Sequence, residues 1–195
     1  MRHCGGCTLC CKLIPVEELH KPAGHRCQHV RTGKGCSIYA TRPWSCREWS
    51  CLWIKGTEDG SELPLRRPDH VHYVIDEVPD IIHMTNKETG AVDQFTVMQI
   101  WCDPKWPMAV EDDAELKAML ERHGIIALVR FDESKGYALF PPSATTSGQW
   151  HRQNADRADD LREQQKLARF DFWRQQAAQT GGAARGSHEK VQGGR

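Results

Sequence analysis

Four cysteines at the start of the chain, Cys4-x-x-Cys7-x-x-Cys10-Cys11, carry the strongest chemical signal in the sequence. A C-x-x-C turn brings two thiolates onto one metal and lets backbone amides approach the sulfurs, and it recurs in zinc and iron–sulfur sites alike. A third cysteine at the same interval resembles the run that wraps an iron–sulfur cube in bacterial ferredoxins. Cys27, Cys36, Cys46 and Cys51 complete a set of eight within the first 51 residues, and of nine cysteines only Cys102 lies beyond. Adjacent Cys10 and Cys11 are expected to point in different directions, which argues against both ligating one mononuclear ion. Eight thiols then suggest two four-thiolate sites or one multinuclear cluster, with the allocation open. Cys46 and Cys51 would stand roughly 140° apart on an unbroken helix, so they too would serve separate sites if the helix reaches Cys51.

The same density in a secreted chain would read as a disulfide scaffold, whereas in a reducing cytosol such a cluster binds metal. The start, Met1-Arg2-His3-Cys4-Gly5-Gly6, shows no apolar signal segment, and a cytoplasmic location is expected. His3, His20, His25 and His29 fall within the cluster region; with eight thiols available they read as surface residues or partners of the ligands. His70 and His72 would share one face of a strand, which is a ligand pair lacking a third member. Cys102 reads as a plain core cysteine. Trp44, Trp49 and Trp53 are expected to shield the metal from water, and Arg42 and Arg47 could donate to sulfur or offset thiolate charge.

The full pattern supports a resemblance. Cys4-x-x-Cys7-x-x-Cys10-Cys11, then Cys27, then Cys36-Ser-Ile38-Tyr39-x-x-Arg42-Pro43-x-x-Cys46-Arg47 and Cys51, resembles the CxxCxxCC family of cysteine-cluster, zinc- or iron-chelating proteins. It spans residues 4 to about 53, with Trp49 where phenylalanine is commoner. The resemblance implies metal chelation by the eight cysteines and leaves zinc against iron open. Some proteins with similar clusters look like iron–sulfur enzymes that methylate flagellin lysines. This chain is too short for an obvious methyl-donor domain, and it shows no glycine-rich nucleotide loop.

The elements that must position these residues divide into three parts and a tail. The chain has 195 residues, 39% apolar and 27% charged, enough for one domain with a core. Residues 1–55 are poor in aliphatic side chains, so metal is expected to staple them. One short helix is expected after Thr41 as N-cap, with Pro43 in its first turn, carrying Trp44, Cys46, Trp49 and Trp53, the last two on one face. Residues 70–142 read as a small α+β region packed on the cluster, an antiparallel sheet with one or two helices. Strands are expected at His70 to Val78, Ile81 to Thr85, Phe95 to Cys102, Ile125 to Phe131 and Tyr137 to Phe140, with a turn over 86–90. A helix is expected over Glu111 to His123, stopped by Gly124, and Pro141-Pro142 should end the region. A polar helix over 150–179 and a disordered tail over 180–195 complete the reading.

Lysine plus arginine number 26 and aspartate plus glutamate number 26, a zero balance that argues against a dedicated nucleic-acid binder. The longest apolar runs, such as Ile125 to Val129, fall far short of the roughly 20 residues of a membrane span. Three functions follow. The favoured one is a chelating protein whose zinc or iron is structural or stored, because eight thiols fill both sites and leave no open position. The second is an iron–sulfur redox or transferase protein using Cys4, Cys7 and Cys10. The third is a zinc-ribbon-like adaptor for nucleic acid or protein, with Arg26 to Lys34 as its basic patch. No catalytic triad, phosphate loop or working carboxylate pair is present, so no catalytic residue and no substrate are assigned.

Overall fold

The computed structural model describes residues 2–56, 65–76, 80–85 and 89–154. The chain divides into two compact units, Met1–Ala158 and Asp159–Arg195, and the second lies outside the described residues. Most of the expected polar helix and all of the expected tail therefore fall outside the description.

The cysteine-bearing stretch has little regular structure, as its poverty in aliphatic residues requires. It holds α1 (Cys10–Leu13), a hairpin of two-residue strands β1 (Val30–Arg31) and β2 (Gly35–Cys36), α2 (Trp44–Glu48) and α3 (Leu52–Lys55). The helix expected after Thr41 is present but displaced. Thr41 ends a 3-10 turn, Pro43 stands at the N-cap position, and Trp49 leaves the helix in an extended conformation. Trp49 and Trp53 therefore do not share a helix face. The break has a use: it lets the chain reach Cys51, which bridges to Asp76 of the sheet region.

The second stretch holds α4 (Pro68–Val71), β3 (Tyr73–Ile75), β4 (Asp80–Thr85), β5 (Val92–Cys102), α5 (Ala109–Asp112), α6 (Ala114–His123), β6 (Ile126–Arg130), β7 (Gly136–Phe140) and β8 (His151–Asn154). The six strands run β3-β5-β6-β7-β8, with β4 also paired to β5. Eleven residues long, β5 holds two partners end to end: Thr85↔Val92 through Asp80↔Val97 with β4, and Ile75↔Ile100 through Tyr73↔Cys102 with β3. The sheet is mixed, not antiparallel throughout, because β5 and β6 run parallel. A parallel neighbour needs a crossover, and the helical connection through α5 and α6 supplies it.

Three further expectations are corrected. The strand expected from His70 begins only at Tyr73: Pro68 opens a helical turn and His72 is left-handed at φ 63°, so the two histidines are not strand neighbours. The single helix over Glu111 to His123 is two, because Asp113 leaves helical geometry to cap α6, accepting from the Glu115 and Leu116 amides at 3.1 Å each. Pro141-Pro142 ends β7 but not the region, since a 3-10 turn returns residues 151–154 as the edge strand β8.

Both faces of β6 are buried, which fits its unbroken apolar run; Ile126 and Leu128 cluster with Ile82, Val97, Ala138 and Phe140. On one face Tyr73, Ile75, Ile100, Cys102, Ala127, Val129, Tyr137 and Leu139 pack with Leu116, Met119 and Leu120 of α6. On the opposite face Val74 and Trp101 pack with Leu13, Ala23 and Cys51. The cysteine lobe therefore packs chiefly on the face of β3 and β5 opposite α6, while Leu52 and Trp53 reach the α6 side. An ion pair between Lys12 and Asp103 joins the same two regions.

Candidate metal centre

The C-x-x-C turn is closed by the Cys7 amide donating to the Cys4 carbonyl at 2.8 Å. Gly5 takes φ 49°, and a Cβ on Gly6 would stand 3.2 Å from the Gly33 carbonyl oxygen, so the hairpin tip packs tightly on this turn. Next in the chain, α1 carries Cys10 and Cys11 and is anchored by fully buried Leu13. The loop that follows returns to it, with the Cys27 amide donating to the Cys11 carbonyl at 2.9 Å. Val30, paired with Cys36 in the hairpin, donates in turn to the Cys27 carbonyl at 3.1 Å. Cys46 enters on α2, which Glu18 holds by accepting from the Ser45 amide at 3.1 Å and hydroxyl at 2.7 Å.

Electrostatics group the sulfurs. Burial, helped by the neighbouring Cys4 and Cys7 sulfurs, pushes Cys51 up to about 11. Cys10 donates a hydrogen bond to Cys11, which raises Cys10 and lowers Cys11; Cys10 also feels Cys4 and Cys51. Burial raises Cys46, and its neighbours are Cys11 and Cys27. Cys4, Cys7, Cys10 and Cys51 influence one another, as do Cys11, Cys27 and Cys46, but Cys4 also feels Cys11, so the two sets run into each other. No cysteine among the described residues is in a disulfide, and no group of three or more His, Cys, Asp or Glu side chains among them stands as a ready metal site.

Cations enclose the thiols. The Lys21 ammonium, in a residue only 8% exposed, donates to the carbonyls of Ile14, of Lys12 at 3.3 Å and of Pro22 at 3.2 Å. Burial lowers its pKa against the pull of Cys27, Cys11, Cys10 and Cys46. Arg42 lies 3.7 Å over the Tyr39 ring, opposes the burial that raises Cys4 and adds to the Cys10 hydrogen bond that lowers Cys11, while its buried Nε donor has no hydrogen-bond partner among the described residues. Lys21 escaped the sequence reading because nothing in its spacing marks it.

The other expected residues separate. Trp49 and Trp53 are partly buried against the core beneath Cys51, with Trp49 Nε1 donating to Asp76 Oδ1 at 3.0 Å, but Trp44 is 45% exposed. The His25 ring meets the Ala23 carbonyl at 3.0 Å rather than a sulfur. Cys102 is fully buried, its thiol 3.2 Å from the Trp106 carbonyl, as a core cysteine should be. His72 stacks on Trp106 at 4.2 Å and does not meet a ligand partner. No family model, curated protein or solved structure matches the chain.

Proposed function

We propose that this chain is a metal-binding cysteine-cluster protein whose zinc or iron is held by thiolates of the N-terminal lobe and serves structure or storage. The observation that carries the reading is a run of seven unbridged thiols from separate turns, each within electrostatic reach of at least one other. Six of the seven are half-buried in a lobe with little aliphatic core, and coordination would supply the folding energy that core lacks. Lys21 and Arg42 fit an anionic centre, since two divalent ions under eight thiolates leave a net negative charge. The resemblance to the CxxCxxCC family points the same way, and reduced thiols suit a cytoplasmic setting.

One observation favours iron–sulfur over zinc as the second reading. The buried Arg42 Nε finds no acceptor among the cysteines, and a cluster's own sulfides would add acceptors that a zinc–thiolate site lacks. No described helix is long and apolar enough to cross a membrane. The test is element analysis of anaerobically purified protein without a histidine tag, with acid-labile sulfide. About two zinc ions per chain support two mononuclear sites, and about four irons with matching sulfide support the cluster. Less than about one metal per chain with cysteines oxidised to disulfides overturns both.

A further inference from the structure

The zero net charge of the chain hides a strong local imbalance. Residues 1–55 hold nine lysines and arginines against three glutamates, and between Glu18 and Glu48 six cations occur with no carboxylate at all. Two of the six, Lys21 and Arg42, face the thiols. The remaining four, Arg26, Arg31, Lys34 and Arg47, are exposed. None of these four forms an ion pair among the described residues, whereas Lys12, Arg66, Arg67 and Arg152 all do. Arg31 and Lys34 flank the hairpin turn, closed by the Lys34 amide donating to the Arg31 carbonyl at 2.9 Å, and Arg26 reaches its Thr32 hydroxyl at 3.5 Å. Three unpaired cations are thus held around one short turn.

Two large aromatics lie exposed in the same lobe. Tyr39 is 57% exposed and Trp44 45%, on successive turns on either side of Arg42. The Arg42 guanidinium stacks against the Tyr39 ring, so the tyrosine already takes a planar cationic partner on its surface. Exposed rings interspersed with unpaired cations match one polyanion best. A single strand of nucleic acid offers phosphates for the cations and open base faces for the rings. A duplex hides its base faces, and an acidic peptide has carboxylates but few π-faces.

We propose that the hairpin 30–36 and the turns carrying Tyr39 and Trp44 form a docking surface for single-stranded RNA or DNA, with Arg26, Arg31, Lys34 and Arg47 on phosphates and the two rings under bases. The surface acts whichever metal the lobe holds, and none of the side chains placed on phosphates or under bases is a proposed metal ligand, although Cys36 ends the hairpin.

The test uses the full metal-loaded chain and fluorescence anisotropy of labelled oligo(U) and oligo(dT) of about 12 nucleotides, within the usual span of such sites. With four phosphate contacts, the slope of log K against log salt should be about −3. Arg31→Gln with Lys34→Gln should flatten it by roughly 1.4. Tyr39→Ala and Trp44→Ala should each weaken binding about tenfold at constant salt slope. A duplex of equal length and polyglutamate should bind more weakly than the single strand. Absence of oligonucleotide binding at about 50 mM salt by a metal-replete chain overturns the surface while leaving the metal reading intact. Equal binding of single strand, duplex and polyglutamate, indifferent to the two aromatic substitutions, overturns it in favour of nonspecific charge attraction. Metal content is measured in every variant, so that a loss of binding counts only where the lobe remains loaded.

Discussion

Asp113 offers the sharpest energetic test of how the sheet region is held under the cysteine lobe. Its carboxylate is 4% exposed and accepts from four donors: the Tyr73 hydroxyl at 2.6 Å, Arg66 at 2.8 Å, and the Glu115 and Leu116 amides at 3.1 Å each. It thereby ties the start of α6 to β3, the strand whose Val74 packs beside Cys51. Asp113→Ala removes an N-cap, costing about 1 kcal/mol. It also leaves the buried Tyr73 hydroxyl without an acceptor, costing about 1–3 kcal/mol more. Arg66 is 56% exposed, so its ion pair adds about 0–1 kcal/mol. The expected loss is roughly 2–5 kcal/mol, read from urea unfolding followed by circular dichroism at neutral pH on protein of constant metal content.

Adding Tyr73→Phe to Asp113→Ala removes the orphaned hydroxyl, so the double variant should be less destabilised than the two single losses added together. Acid supplies the second arm. Burial alone would raise the Asp113 carboxyl, but hydrogen bonds from Tyr73, the Leu116 amide and Arg66 outweigh it and hold it below the ordinary aspartate range. A group depressed in the folded state stabilises above its unfolded value of about 3.9, and that contribution fades as pH falls through the folded pKa. The gap between the parent and Asp113→Asn should therefore close below about pH 4. An Asp113→Ala variant within about 0.5 kcal/mol of the parent, or a strictly additive double variant, would refute the reasoning.

Three further outcomes are expected. Cys51→Ser and Cys27→Ser should each lose about half the metal if two mononuclear sites exist, and nearly all of it if one cluster is shared; element analysis decides. Chelation should raise amide exchange in residues 2–56 while β5, β6 and β7 keep their protection, and equal exchange before and after metal removal counts against metal as the staple. Gly136→Ala should destabilise by roughly 1–3 kcal/mol in thermal melts, because its Cβ would stand 2.3 Å from the Val129 carbonyl oxygen; an unchanged melt would mean that the β6–β7 hairpin yields there.

What was legible in the sequence followed from local rules, and what was not followed from tertiary ones. The strands over 81–85, 95–102, 126–130 and 137–140 could be read because β-branched runs and turn residues mark them without outside help. The parallel pairing of β5 with β6 could not, since strand direction is set by the crossover and leaves no mark in either strand. Asp113 shows the same limit at one residue: an acid near a helix start reads as first-turn charge, and only Tyr73 and Arg66, remote in sequence, make it the cap that splits the helix. The cysteines stand out in the sequence by spacing alone, while the route that brings Cys51 onto Asp76 depends on the break after α2, which the sequence does not mark. The basic surface was hidden by a sum. Counting charge over the whole chain cancels the lobe's cations against the acids of the sheet region and of the undescribed segments, although salt screens exposed charges beyond about 10 Å. A ligand at the hairpin would feel Arg26, Arg31 and Lys34, not the net charge of zero.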